Sequence, residues 1–117
     1  MVEIIAIIRR KHASATKEEL SRIGCTGYTA FSVLGRGRQH GLRGEPGSAG
    51  LAFLPKVLFD LLIEDAQAQE TIEALIRANQ TGQYGDGKLF VIEMAEAYRI
   101  STGERAGRAA PVVTSDR

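Results

Sequence analysis

The sequence predicts an α+β sandwich in which two strand–helix–strand halves share one sheet. Three observations carry that prediction. Apolar, largely β-branched runs of strand length recur four times, and a helix-forming stretch lies between the first and second and another between the third and fourth. The 117 residues leave room for a single core. Apolar residues make up 44% of the chain and charged residues 25%, which argues for a folded globular domain.

Residues 2–9, VEIIAIIR, are too short for a buried helix and read as a buried first strand. Thr16 can cap the helix TKEELSRIG, with Glu19 completing a capping box and Gly24 ending it in the left-handed region. Residues 27–35, GYTAFSVLG, alternate small and apolar side chains on both faces, which suits a second strand covered on both sides. LAFLPKVLFDLLIED returns to a strand, with Pro55 tolerated near its start. Residues 66–79 place Ile72, Leu75 and Ile76 at helical spacing. KLFVIEM reads as a fourth strand and AEAYRIST as a short extended piece. From Gly103 the chain is small and polar, and its end, residues 105–117, is expected to be a disordered tail. The order is that of a ferredoxin-like βαββαβ sandwich.

Two segments between these elements cannot serve the core. GRGRQHGLRGEPGSAG, from Gly35 to Gly50, holds six glycines and almost no apolar side chains, and loops of this length inside a compact domain are usually functional or mobile. It gathers Arg36, Arg38, Gln39, His40 and Arg43, a set that suits phosphate or carboxylate. Thr81-Gly82-Gln83-Tyr84-Gly85-Asp86-Gly87-Lys88 follows a helix end. Its glycines let successive N–H groups turn to one point, and Lys88 adds a charge, so it can form a phosphate nest or else a plain helix cap and turn.

Other chemistry is thinly represented. A net charge of +1 gives no global field toward nucleic acid or membrane, and no aromatic is interleaved with the basic residues of the long loop to stack a base. His12 and His40 have no sequence neighbours that suggest nucleophilic catalysis, so the chain is not expected to be an enzyme. Cys25 is alone and reads as a small buried residue in a reducing compartment. The opening MVEIIAIIRRKH is apolar first and basic second, the reverse of a secretory signal, and a cytoplasmic location is expected.

Taken in order, AIIR, GCTGYT, GRGRQ, FLPK, TGxxGDGK and YRISTGE resemble the PII nitrogen-regulatory proteins over residues 1–104, and GRGRQ is most similar to the branch encoded beside nitrogenase genes. The resemblance implies a homotrimer with a mobile T-loop over about 36–54 and a B-loop over 81–88. Its intersubunit clefts would bind ATP or ADP, with 2-oxoglutarate beside ATP and Mg²⁺. Nucleotide contacts would come from Gly35, Gly37, Arg38 and Gln39 at the T-loop base, and from Gly85, Asp86, Gly87 and Lys88 in the B-loop. Thr29, Asp60 and Leu62 would line the adenine side, and Arg99 would cross from the neighbouring subunit. Gln39 would ligate Mg²⁺, and 2-oxoglutarate would meet Gln39, His40, Gly41, Lys56 and Gly85. A regulated protein of nitrogen metabolism, such as a nitrogenase component or an ammonium channel, would be reached through the T-loop. A membrane would be met only through such a partner.

The sequence also departs from the family. Tyr28, Tyr84 and Tyr98 all lie outside the T-loop, so the uridylylated tyrosine of some members is missing; Ser48 lies near a site that others phosphorylate, in a poorly matched context. Asp60 shortens the usual glutamate, and Ser101 replaces a second arginine on the phosphates. The alternatives to an effector-responsive regulator are an adenylate sensor without a 2-oxoglutarate response and a ferredoxin-like RNA-binding module.

Overall fold

The computed structural model describes residues 1–36 and 53–106. Strand β1 spans Val2–Arg9, and a 3-10 turn over Arg10–His12 leads into α1, Ala13–Arg22. Strands β2, Thr29–Gly35, and β3, Leu54–Ile63, follow. Helix α2, Asp65–Asn79, and strand β4, Gly87–Glu93, complete the second half. All strand pairs are antiparallel and the sheet order is β2-β3-β1-β4, the expected ferredoxin-like arrangement. Among the described residues no helix is long and apolar enough to cross a membrane.

Strand alternation divides the sheet into two faces. Val2, Ile4, Ala6 and Ile8 of β1 and Val57, Phe59, Leu61 and Ile63 of β3 are buried beneath the helices, where Leu20 of α1 and Ala74 and Leu75 of α2 close the core. The register places Glu3, Ile5, Ile7 and Arg9 of β1 on the other face, which no helix among the described residues covers. Phe31 (46%), Leu62 (42%), Phe90 (47%) and Ile92 (43%) stand exposed there. The expectation that β2 is covered on both sides therefore does not hold within one chain: β2 is an edge strand and most of it is exposed.

Two sequence expectations are corrected. Thr16 does not cap α1, which begins three residues earlier out of the 3-10 turn. Its buried hydroxyl donates to the His12 carbonyl at 2.8 Å and accepts from Asn79 Nδ2 at 3.0 Å, so Thr16 joins α1 to α2. Glu19, freed from a capping box, pairs with Arg22 and with Arg77 of α2, both at 2.9 Å. The buried stripe of α2 runs through Thr71, Ala74 and Leu75 and leaves Ile76 45% exposed. The chain over 97–106 turns back on itself, so the polar segment from Gly103 continues as structure to Ala106. There Arg99 N–H donates to Glu104 O at 2.8 Å and Ala106 N–H to Ala97 O at 2.7 Å. Gly24 ends α1 as expected, at φ +83°.

Candidate functional site

Where β1 and β4 meet the 81–88 loop, a cleft of about 420 Å³ opens on the helix-free face. Gly35, Lys56, Gly85, Asp86, Gly87 and Lys88, all expected site residues, line it together with Ile7. The sheet register does the positioning. Arg9 of β1 lies opposite Lys56 of β3, Ile7 lies opposite Lys88 of β4, and Gly35 of β2 lies opposite Leu54.

The loop is shaped by one carboxylate. Asp86 accepts from Thr81 N–H at 2.7 Å, from Gly82 N–H at 2.9 Å and from the Thr81 hydroxyl. Burial pushes the Asp86 carboxyl up, but these bonds and one from Gln83 N–H outweigh it and hold the group well below the usual aspartate range. Asp86 is thus committed to its own loop, and serves a ligand by fixing the backbone that presents it. Gly85 and Gly87 adopt φ of +98° and +126°. At Gly87 the requirement is also steric: a Cβ would stand 2.2 Å from the Ile7 carbonyl oxygen, against the backbone of the neighbouring strand.

Two cations face this loop from the sheet. Lys56 Nζ donates to Gly85 O at 2.9 Å, and Arg9 Nη2 donates to Tyr84 O at 2.8 Å and approaches Asp86 at 3.5 Å. Lys56 is only 7% exposed. Burial first, and then the neighbouring Arg9, push its ammonium below the ordinary lysine value, with Asp86 acting in the opposite direction. A lysine held this way, on a carbonyl dipole beside a second cation, gains from an incoming carboxylate or phosphate. In the sequence Arg9 stands with Arg10 and Lys11 as one of two local basic clusters and is not among the expected site residues; the pairing of Arg9 with Lys56 brings it to the cleft.

The other expected residues are elsewhere. Thr29 and Asp60 are register partners on the open face, and Leu62 follows on the same side. Asp60 lies four residue steps along β3 from Lys56, about 13 Å of strand. Arg99 lies in the 97–106 hairpin, past the end of β4 remote from the cleft, since Met94 N–H still bonds to the Met1 carbonyl before the hairpin begins. Gly37, Arg38, Gln39, His40 and Gly41, like Ser48 and most of the expected T-loop, fall outside the described residues. Among the described residues no group of three or more His, Cys, Asp or Glu could hold a metal ion. Cys25 is half-buried and burial pushes its thiol up, away from reactivity.

A family model described as nitrogen regulatory protein P-II matches residues 1–104. A nitrogen regulatory protein P-II of Rhodospirillum rubrum is 46% identical over 113 residues, covering 93% of this chain and 99% of its own. A nitrogen fixation nifHD1 region GlnB-like protein 2 of Methanosarcina barkeri is 38% identical over 117 residues, covering 90% of this chain and 95% of its own. A third relative, the nitrogen regulatory protein P-II of Pasteurella multocida, is 41% identical over 108 residues. The chain belongs to the nitrogen regulatory protein P-II family.

Proposed function

We propose that this P-II family chain is a regulatory binding protein and not an enzyme. In this reading it assembles as a homotrimer, binds ATP or ADP in clefts between subunits, takes 2-oxoglutarate beside ATP and Mg²⁺, and controls a protein of nitrogen metabolism through the 36–54 loop. The observation that supports it best is the division of the expected site within one chain. Lys56, Lys88 and the glycine-rich loop converge on one cleft, while Thr29, Asp60, Leu62 and Arg99 stand far along the sheet or beyond it. A second copy laid against the exposed apolar face would bring its distal set to the first copy's cleft and cover Phe31 and Phe90. The names of the relatives above, which include a protein of a nitrogen fixation region, support a role in nitrogen control.

Each residue has a distinct task in this scheme. The backbone turned by Gly85 and Gly87 offers N–H groups, and Lys88 a charge, to a polyphosphate. Lys56, now resting on Gly85 O, would exchange that carbonyl for a carboxylate; the exchange strengthens its hydrogen bond and frees the loop at one point. Bound Mg²⁺ would supply an octahedral centre able to hold phosphate, a 2-oxoacid and an amide oxygen together. Gln39, which the resemblance assigns to it, stands at the base of the long loop in the sequence, so ligation there would bias the loop conformation that a partner reads.

Calorimetric titration with ADP, with ATP and with MgATP plus 2-oxoglutarate tests this reading. Lys88→Ala is expected to weaken ADP and ATP together by about 1.5–3 kcal/mol. Gln39→Ala and Lys56→Ala are expected to remove the 2-oxoglutarate response while leaving ADP nearly unchanged. Wild-type 2-oxoglutarate affinity in both variants would make the protein a reporter of adenylate alone. Absence of nucleotide binding in the unmodified chain would remove the assignment.

A further inference from the structure

We propose that the side chain of Tyr84 is a further ligand contact of the cleft, its hydroxyl donating to the anion held by Lys56 and its ring covering that ion pair. The inference rests on the reading of the cleft as an anion site. Its starting point is the contrast among the three tyrosines. The Tyr28 ring packs on Phe59 at 5.5 Å, against the core. The Tyr98 hydroxyl donates to Glu96 at 2.8 Å, and the Arg105 guanidinium lies 5.7 Å from the Tyr98 ring centroid. Tyr84 is 68% exposed, and its ring and hydroxyl have no partner among the described residues.

A single exposed aromatic is ordinary on a protein surface, but this one is mounted on a fixed main chain at the edge of a cationic cleft. Among the described residues that line the cleft, only Tyr84 is aromatic. Its own carbonyl accepts from Arg9 at 2.8 Å, and the next carbonyl, that of Gly85, accepts from Lys56 at 2.9 Å. On the other side the Gln83 carbonyl accepts from the Asp86 N–H at 3.3 Å, and the Asp86 carboxylate holds the Thr81 and Gly82 amides. The backbone is therefore committed around a side chain that is not. Closing that side chain on a ligand orders two χ angles and no further backbone, so the entropic cost is small.

Lys56 sets the position of the anion. It is buried and bonded to Gly85 O, so an anion that displaces this carbonyl stands beside the residue that follows Tyr84. Successive α-carbons are about 3.8 Å apart, which brings the anion within reach of the phenol. The O–H can then donate to a charged acceptor, a stronger bond than one to a neutral oxygen. The ring adds a second effect. Laid over the ion pair it keeps water out, and the attraction between Lys56 and the anion rises as the local dielectric falls. With the neutral Gly85 carbonyl on Lys56 both effects are weaker, and the ring stands in water.

Calorimetric titration with ADP, with ATP and with MgATP plus 2-oxoglutarate tests this in the full chain, in Tyr84→Phe, which keeps the ring, and in Tyr84→Ala, which removes it. Tyr84→Phe is expected to weaken binding by about tenfold or more, the loss of one hydrogen bond to a charged group, and Tyr84→Ala to weaken it further. A loss shared by ADP and ATP makes the anion a phosphate; a loss confined to 2-oxoglutarate makes it a carboxylate. Because the chain has three tyrosines and no tryptophan, the cover is read separately from tyrosine emission. Acrylamide quenching should decrease when these ligands bind the unmodified chain, and decrease less in Tyr84→Phe. Unchanged affinity in Tyr84→Phe overturns the inference and leaves the proposed function standing, as does an equal decrease of quenching in the two proteins. A lower assembled fraction of Tyr84→Phe in light scattering overturns it too, since the side chain would then serve the neighbouring copy. Absence of nucleotide binding in the unmodified chain removes the proposed function, and this inference with it.

Discussion

The two faces of strand β1 lie a side chain apart and have different occupations. Val2, Ile4, Ala6 and Ile8 point under the helices, are nearly or fully buried, and hold the fold together. Glu3, Ile5, Ile7 and Arg9 point the other way, onto a face that the described residues leave open, and there the charges are sorted: acids at one end, cations and the glycine-rich loop at the other. Both faces are apolar in large part, so hydrophobicity does not distinguish structure from function here. What distinguishes them is whether the chain itself supplies a cover. An apolar face without one is available to another molecule, and the charged residues at its margins can set the terms of that contact.

Substitutions on the two faces should therefore fail in different ways. The largest effect is expected from Phe59→Ala, which empties a fully buried site that also holds the Tyr28 ring at 5.5 Å. Chemical denaturation should show a loss of about 3–5 kcal/mol. Phe90→Ser, on the open face, is expected to leave the secondary structure seen by circular dichroism unchanged and to lower the assembled fraction in light scattering. An equal loss of folding stability from both changes would dissolve the distinction between the faces.

Gly87→Ala should break the boundary between fold and site. Its Cβ would collide with the Ile7 carbonyl oxygen and its φ of +126° resists a side chain, so the start of β4 must move. A stability loss of about 2 kcal/mol or more is expected, together with weakened ATP and ADP binding in the same titrations. If binding falls and stability does not, the loop moves independently of the sheet.

The smallest effect concerns acid. The carboxyl of Asp86 is held below its ordinary value by the bonds it accepts, so its contribution is fully present above the unfolded value near 3.8 and is lost as pH falls below that. The protection of the Thr81 and Gly82 amides, taken relative to their intrinsic exchange rates, should fall in acid ahead of protection in β1. Asp86→Asn should lower it at neutral pH and remove the acid dependence. Protection unchanged in that variant would show that the loop is shaped by its glycines alone.

The sequence by itself determined the number, order and type of the elements, because strand and helix periodicities and the two glycine-rich interruptions are local patterns. It also marked Gly85, Asp86, Gly87, Lys88 and Lys56 as site residues, since a run of glycines ending in lysine and an ordered set of short motifs are local too. It misplaced Thr16, whose hydroxyl serves equally well as a cap or as a bond between helices; only the arrival of Asn79, 63 residues later, decides which. It set Arg9 in a basic run, and the antiparallel register with Lys56 moved it to the cleft. Nor could it show that the described helices leave one sheet face uncovered. These are properties of strand pairing and layer packing, which join residues far apart in the chain, and no local pattern records them.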